Sequence, residues 1–131
     1  MEFNQYNTTV QQWIHTVLEN RETNADVVLE CCRDIIAYGR KTDDPKLMGF
    51  GFFYGGEIYY ELNDGAHFFH MMTEALTYLD RAEEWELVVR CYNFLGIASM
   101  SRGNPSLALD YYMNGLKDSD TYDPVSYTHL T

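Results

Sequence analysis

Apolar residues recur at helical spacing in six segments of this 131-residue chain, and short polar runs separate the segments. In the first segment, Val10, Trp13, Ile14, Val17 and Leu18 fall on one stripe. The separating runs are rich in Gly, Asn, Asp and Pro, which end helices and form turns. The pattern therefore predicts an all-α fold of six helices arranged as three hairpins.

Capping residues predict where these helices begin and end. The first has a possible N-cap in the run 7–9, and Asn24 is the expected cap of the second, for which Gly39 is the expected stop. Asp43 and Asp44 followed by Pro45 predict the start of the third helix. The remaining predicted features are a turn at Asn63-Asp64-Gly65, helices over 66–81 and 83–101, and a stop at Arg102-Gly103-Asn104 before Pro105 opens the sixth helix.

The third predicted helix contains four glycines, Gly49, Gly51, Gly55 and Gly56. Each glycine costs up to about 1 kcal/mol of helix propensity relative to alanine. A compensating interaction is therefore expected, and close approach of a neighbouring helix to the glycine surface is the natural one.

Charge and cysteine content restrict the classes of partner and compartment. The formal net charge is -11, which repels nucleic acid phosphates and anionic lipid headgroups. No segment has the roughly 18 apolar residues of a membrane span, and Met1–Asn4 lacks the features of a secretory signal. Three cysteines, of which Cys31 and Cys32 are adjacent, form a poor disulfide framework. We expect a cytoplasmic protein that binds neither nucleic acid nor membrane, with its cysteines in the core.

The third hairpin carries a regular order of an aromatic residue, Leu-Gly, a turn, Ala, an aromatic residue and a small residue. Gly96 and Ala108 are expected where the two helices cross, because only small side chains allow contact there. A weaker version precedes it by forty residues, since Gly56 corresponds to Gly96, but Phe68 stands at the Ala position. The residues of this repeat signature are Phe52, Gly56, Tyr59, Ala75, Tyr92, Leu95, Gly96, Ala108, Tyr112 and Gly115.

This order resembles the tetratricopeptide repeat, most specifically over residues 85–119. The resemblance implies a short right-handed solenoid of helical hairpins: a degenerate hairpin over 1–42, a second over 43–82 and a third over 83–120. Residues 121–131 are expected to be a non-native or disordered tail, because 124–131 look like a translated sequencing adaptor.

The stretches 46–54 and 85–90 are similar to the repeat region that precedes the catalytic domain of some bacterial diguanylate cyclases. The Gly-Gly-Asp-Glu-Phe signature of that catalytic domain does not occur in this chain. The resemblance implies an N-terminal sensory or interaction module without catalytic residues of its own, whose parent protein carries the cyclase. Two alternatives stay open: part of a peptide-sensing transcriptional regulator, and a freestanding scaffold or adaptor.

In tetratricopeptide arrays the first helix of each hairpin lines an inner groove, so the resemblance also implies a binding face. Asn93 is expected to bond a peptide backbone, Arg90 a carboxylate, and Glu57 or Glu61 a basic group. The expected partner is a protein, a peptide or a small ligand. The complete predicted groove comprises Phe50, Phe53, Glu57, Tyr60, Glu61, Arg90, Asn93, Ile97 and Met100.

Other residue clusters favour no cofactor or metal. His67, His70 and Glu74 share a predicted helix face, but two His near a helix start are more often surface residues than ligands. Adjacent Cys31 and Cys32 lack the spacing of a redox pair. An uncovered last hairpin would expose apolar surface, which favours a homodimer through that face.

Overall fold

The computed structural model describes residues 1–122, with side chains as far as Lys117. These residues form six α-helices and no strand, which confirms the all-α prediction. Residues 123–131, most of the predicted tail, lie outside the described part. The helices are α1 (Thr8–Asn20), α2 (Ala25–Lys41), α3 (Pro45–Glu61), α4 (Gly65–Arg81), α5 (Trp85–Ser101) and α6 (Pro105–Tyr122).

Short polar side chains begin most of these helices by accepting a hydrogen bond from a backbone N–H three residues on. Asn24 accepts from Val27, and Asp44 accepts from Leu47 just ahead of Pro45, as the sequence predicts. These helix starts are determined locally, because each capping side chain accepts from an N–H group of the first turn that has no hydrogen-bond partner within the helix. The other three side-chain caps are Asn7, Asp64 and Asn104.

Helices α2 to α6 begin at residues 25, 45, 65, 85 and 105, so their starts are twenty residues apart. Each of α2 to α5 has 17 residues and is followed by a turn of three. The second residue of every such turn has positive φ: Asp43, Asn63, Glu83 and Gly103. The α1–α2 turn differs, with four residues and no positive φ.

Gly39 is not a helix stop, contrary to the prediction from sequence. Helix α2 continues to Lys41, and Gly39 is buried against the start of α3. A Cβ at Gly39 would lie 2.8 Å from the Met48 Cγ and 3.1 Å from the Met48 backbone N. The glycine therefore permits close packing of two helices, and the helix ends two residues later, at Lys41.

The described chain divides into two compact units, Met1–Ala82 and a second unit that begins at Glu83. The first unit contains α1 to α4, in which each helix packs against its neighbour in the chain. Its core is centred on α3, where every residue from Leu47 to Ile58 is buried. A helix that is apolar on all sides is suited to this central position.

The α3 glycines face both neighbouring helices, as expected from their cost in helix propensity. Gly51 faces α2, because an added Cβ would lie 2.6 Å from Ile36 Cγ1. Gly49 faces α4, where the corresponding distance to Leu79 Cδ2 is 2.6 Å. The missing side chains let α2 and α4 approach α3 closely, and this packing offsets the weak helix propensity.

In the second unit α5 packs against α6 through two reciprocal pairs of a glycine and a tyrosine. A Cβ at Gly96 would lie 2.6 Å from Tyr112 Cε1, and one at Gly115 would lie 3.2 Å from Tyr92 Cβ. Ala108 is also buried, at 1% exposure. The sequence pattern predicts Gly96 and Ala108 where the two helices cross, and both residues are buried in this unit.

Among the described residues, no helix combines the length and the apolar character needed to cross a lipid bilayer.

Candidate binding site

The irregular α1–α2 turn forms one wall of a cleft in the first unit, and the C-terminal turn of α3 forms the other wall. The cleft has a volume of about 530 Å³. Most of its lining is polar or charged. The lining residues are Arg21, Glu22, Thr23, Asn24 and Ala25 from the turn and the start of α2, Glu57, Ile58 and Glu61 from α3, and Leu62 directly after α3.

Local hydrogen bonds fix the turn that carries the first wall. The backbone N–H groups of Thr23 and Asn24 both donate to the carbonyl oxygen of Asn20, at 3.0 and 2.9 Å. The Asn24 side chain then caps α2 by accepting from the Val27 N–H at 3.2 Å. Arg21 directly follows α1, so its side chain starts from a defined position beside the cleft.

A two-pronged ion pair joins the two walls of the cleft. Arg21 Nε donates to Glu57 Oε1 at 2.8 Å, and Arg21 Nη2 donates to Glu57 Oε2 at 2.7 Å. The Glu57 side chain is 10% exposed and the Arg21 side chain 28% exposed. The parallel geometry matches guanidinium to carboxylate, the stronger class of charged hydrogen bond.

An aromatic ring completes the surroundings of the Arg21 guanidinium. Its central carbon lies 5.1 Å from the centre of the Tyr54 ring, within the range of a cation–π interaction. Tyr54 itself packs against Phe50 and Phe53, with ring centres 4.6 and 4.9 Å away. The ring is therefore held in place from the core, and the charge of Arg21 lies on an ordered surface.

The predicted groove is only partly accessible. Phe50 and Phe53 are 1% and 0% exposed, so they are core residues and do not line a binding surface. Tyr60 is half-buried, with its ring centre 5.4 Å from that of Phe68. Glu57 and Glu61 do lie together in the cleft, where the sequence analysis expected a basic group to bind.

The other predicted groove residues lie on α5 in the second unit. Ile97 and Met100 are large apolar side chains that are 44% and 54% exposed. Asn93 is exposed and Arg90 is half-buried. Their burial pattern is consistent with a surface position, in contrast to the buried phenylalanines of α3.

The histidine cluster is placed on the surface and interacts with neighbouring side chains. His67 Nδ1 lies 2.8 Å from Asp64 Oδ2, and its ring stacks on Tyr59 with centres 4.7 Å apart. The His67 backbone N–H and side chain lower the pKa of the Asp64 carboxyl. The part of the chain described here contains no group of three or more His, Cys, Asp or Glu positioned to hold a metal ion.

A second cleft of about 570 Å³ lies between the N-terminal segment and α1. The Phe3 ring fixes this segment by packing edge-on against Phe50, with centres 5.2 Å apart. The Lys46 ammonium lies 5.0 Å from the centre of the Phe3 ring and donates to the Glu2 carbonyl oxygen. Exposed Leu18 and His15 of α1 contribute to its lining.

Arg21 and Tyr54 are the site residues that sequence reasoning missed. The available signal was the polar run 19–23, which interrupts the apolar pattern but gives no register for pairing with α3. The turn's departure from the twenty-residue spacing is a second signal, since local exceptions to a regular design often mark functional sites.

No family model matches this sequence, and no curated protein or solved structure was found to match it.

Proposed function

We propose that this chain is a helical-hairpin recognition module of the tetratricopeptide type that binds a basic segment of a protein or peptide partner. The observation that carries the proposal is the cleft between the α1–α2 turn and α3. Its charged lining groups comprise three carboxylates, Glu22, Glu57 and Glu61, and one cation, Arg21. A positively charged side chain is therefore the complementary ligand.

The arrangement of these groups favours recognition in a preformed cleft. Glu57 is fixed by its ion pair with Arg21, whereas Glu22 and Glu61 are exposed at the rim. A cleft whose polar groups are already ordered loses little conformational entropy when a ligand binds. The net charge of -11 would also attract a basic partner from a distance.

The wider biological role that we propose is input to a signalling protein. The similarity of residues 46–54 and 85–90 to the repeat region of bacterial diguanylate cyclases supports a sensory or interaction module in a cytoplasmic protein of that type. In this proposal the solenoid and the cyclase belong to the longer parent, and partner binding regulates the parent's output.

The test is the binding of fluorescent peptides that are rich in Arg or Lys, compared with acidic peptides of the same length. We expect Glu61→Gln to weaken binding of the basic peptides by about two- to fivefold, the effect of losing one solvent-exposed ion pair. Glu30→Gln is the matched control, because Glu30 is an exposed carboxylate outside the cleft and its loss changes the net charge equally. Equal weakening by the two substitutions, or no basic peptide binding at all, would reject the proposal.

A further inference from the structure

The Arg21–Glu57 pair has a geometry that resembles an occupied binding site. The carboxylate of Glu57 holds both a terminal and an internal nitrogen of one guanidinium, at 2.7 and 2.8 Å. The Tyr54 ring lies 5.1 Å from the same guanidinium carbon. A carboxylate in two-pronged contact and an aromatic face are the two elements that select arginine over lysine.

Stability alone does not account for this pair. Replacing a buried ion pair with well-packed apolar residues is often neutral or stabilising, because two charges lose hydration on burial. Glu57 lies on α3 with apolar neighbours along the helix, and Glu57 and Ser99 are the buried polar side chains of the described chain. The pair therefore places a charge within a helix whose other buried residues are apolar.

The two partners also differ in their freedom to move. Glu57 is in the buried central helix, whereas Arg21 comes from the α1–α2 turn and its side chain is 28% exposed. The cleft of about 530 Å³ beside the pair provides space into which the arginine side chain can swing. Departure of Arg21 would leave the carboxylate of Glu57 facing that cleft.

We infer that Glu57 and Tyr54 form a guanidinium receptor, which the chain's own Arg21 occupies until an arginine of a partner protein displaces it. The inference rests on the proposed function and names the ligand group, arginine, for the same cleft. The ligand's guanidinium would take the two hydrogen bonds of Arg21 and its place over the tyrosine ring. Glu61 and Glu22 at the rim would pair with further basic groups of the partner.

The first experiment removes the internal ligand and supplies a small external one. Arg21→Met keeps an unbranched apolar stem at this position but lacks the guanidinium that lies over Tyr54. We expect ethylguanidinium to raise the melting temperature of this variant more than ethylammonium does, because only a ligand that binds the folded state stabilises it. The double variant Arg21→Met/Glu57→Gln is the control, and an equal response of the two variants would overturn the inference.

The second experiment uses the wild-type chain, so it does not depend on the variant folding. The capped peptide Gly-Arg-Gly is titrated while the Arg21 Nε–H signal is followed by NMR, with the citrulline peptide as a neutral control. We expect the Arg21 signal to shift on saturation with the arginine peptide only. A signal that stays unchanged at a peptide concentration of about one hundred times the Kd of Arg21→Met, which is about ten times the Kd expected for the wild type, would overturn the exchange.

The affinity comparison separates this inference from the proposed function. We expect Arg21→Met to bind the arginine peptide about tenfold more tightly than the wild type, the factor that applies if Arg21 is displaced in roughly one molecule in ten. Basic peptides that bind through Glu61 without moving Arg21 would overturn the receptor and leave the proposed recognition role standing.

Discussion

Two glycines four residues apart on α3 should respond differently to substitution by alanine. At Gly51 an added Cβ would meet Ile36 Cγ1 at 2.6 Å and the Cys32 carbonyl oxygen at 3.1 Å. At Gly55 it would meet the terminal Cε of Met71 at 2.4 Å, and its next contact is Cys32 Cβ at 3.9 Å. The first site is closed by a branched side chain and backbone, and the second by the end of a flexible side chain.

The magnitudes follow from two opposing effects. Alanine improves helix propensity by about 1 kcal/mol at both sites. Overpacking at Gly51 costs about 2–3 kcal/mol, because Ile36 and the α2 backbone must both shift. We therefore expect Gly51→Ala to lower the free energy of unfolding by about 1–2 kcal/mol. A rotamer change of Met71 costs about 0.5–1 kcal/mol, so Gly55→Ala should be neutral or slightly stabilising.

Urea unfolding followed by tryptophan emission measures this difference in the first unit. In a Trp85→Phe background the remaining tryptophan is Trp13, whose ring packs 6.3 Å from that of Tyr38 between α1 and α2. The signal then reports on the unit that contains both glycines. If Gly55→Ala destabilises the unit as much as Gly51→Ala, the reasoning from the contacting atoms is wrong.

Three further predictions concern the turns, the α5–α6 contact and the cysteines. Glu83 has a φ of 56°, a conformation that glycine adopts without strain, so Glu83→Gly should raise the free energy of unfolding by about 1 kcal/mol. Gly103 has a φ of 76°, so Gly103→Ala should lower the free energy of unfolding by about 1–2 kcal/mol. Chemical denaturation of both variants checks these two values. Gly96→Ala should destabilise the second unit by about 1–3 kcal/mol, because the added Cβ would contact the Tyr112 ring. For the same reason, the effects of Gly96→Ala and Tyr112→Leu should be coupled in a double-mutant cycle, and simple additivity of the two effects would contradict this. Burial raises the thiol pKa of Cys32 and Cys91. Iodoacetamide at about pH 8 should therefore modify half-exposed Cys31 first, and Cys32 and Cys91 only in urea. Peptide mass spectrometry of the modified chain measures this order. Because the pKa values of Cys32 and Cys91 are higher in the folded state, these thiols lose their protons in the unfolded state first as the pH rises above about 8.5. The urea midpoint of the wild type should therefore fall above this pH, and the midpoint of Cys32→Ala/Cys91→Ala should fall less.

Local chemistry made much of the helical framework predictable from sequence. Asn24 and Asp44 were identifiable as caps because a cap depends only on residues within one turn. Gly96 and Ala108 were expected where the two helices of the hairpin cross, because only small side chains allow contact there, and both are buried. Gly39 was misassigned because a glycine that ends a helix and one that permits close packing look alike in sequence.

The candidate site was less predictable because it depends on a contact between distant parts of the chain. Glu57 and Glu61 were expected to face a basic group. The basic partner of Glu57 is Arg21, which lies 36 residues earlier in the chain and belongs to a polar run with no helical register. Phe50 and Phe53 were assigned to a groove by the register of the tetratricopeptide resemblance, and a helix that is apolar on all sides does not itself reveal which face is covered. Their burial follows from packing between α2, α4 and the N-terminal segment, which no local pattern specifies.

The even spacing of the helix starts has a consequence for how such a chain tolerates insertion and deletion. Helices α3 and α5 are largely apolar, whereas α2 and α4 have one polar face, so neighbouring helices are not interchangeable. Duplication of a 20-codon block would place a helix of one kind where the other is required. A 40-codon block restores both the turn and the type of helix, so in-frame changes of that size should preserve folding. Gene length in proteins built in this way would then vary in steps of forty codons.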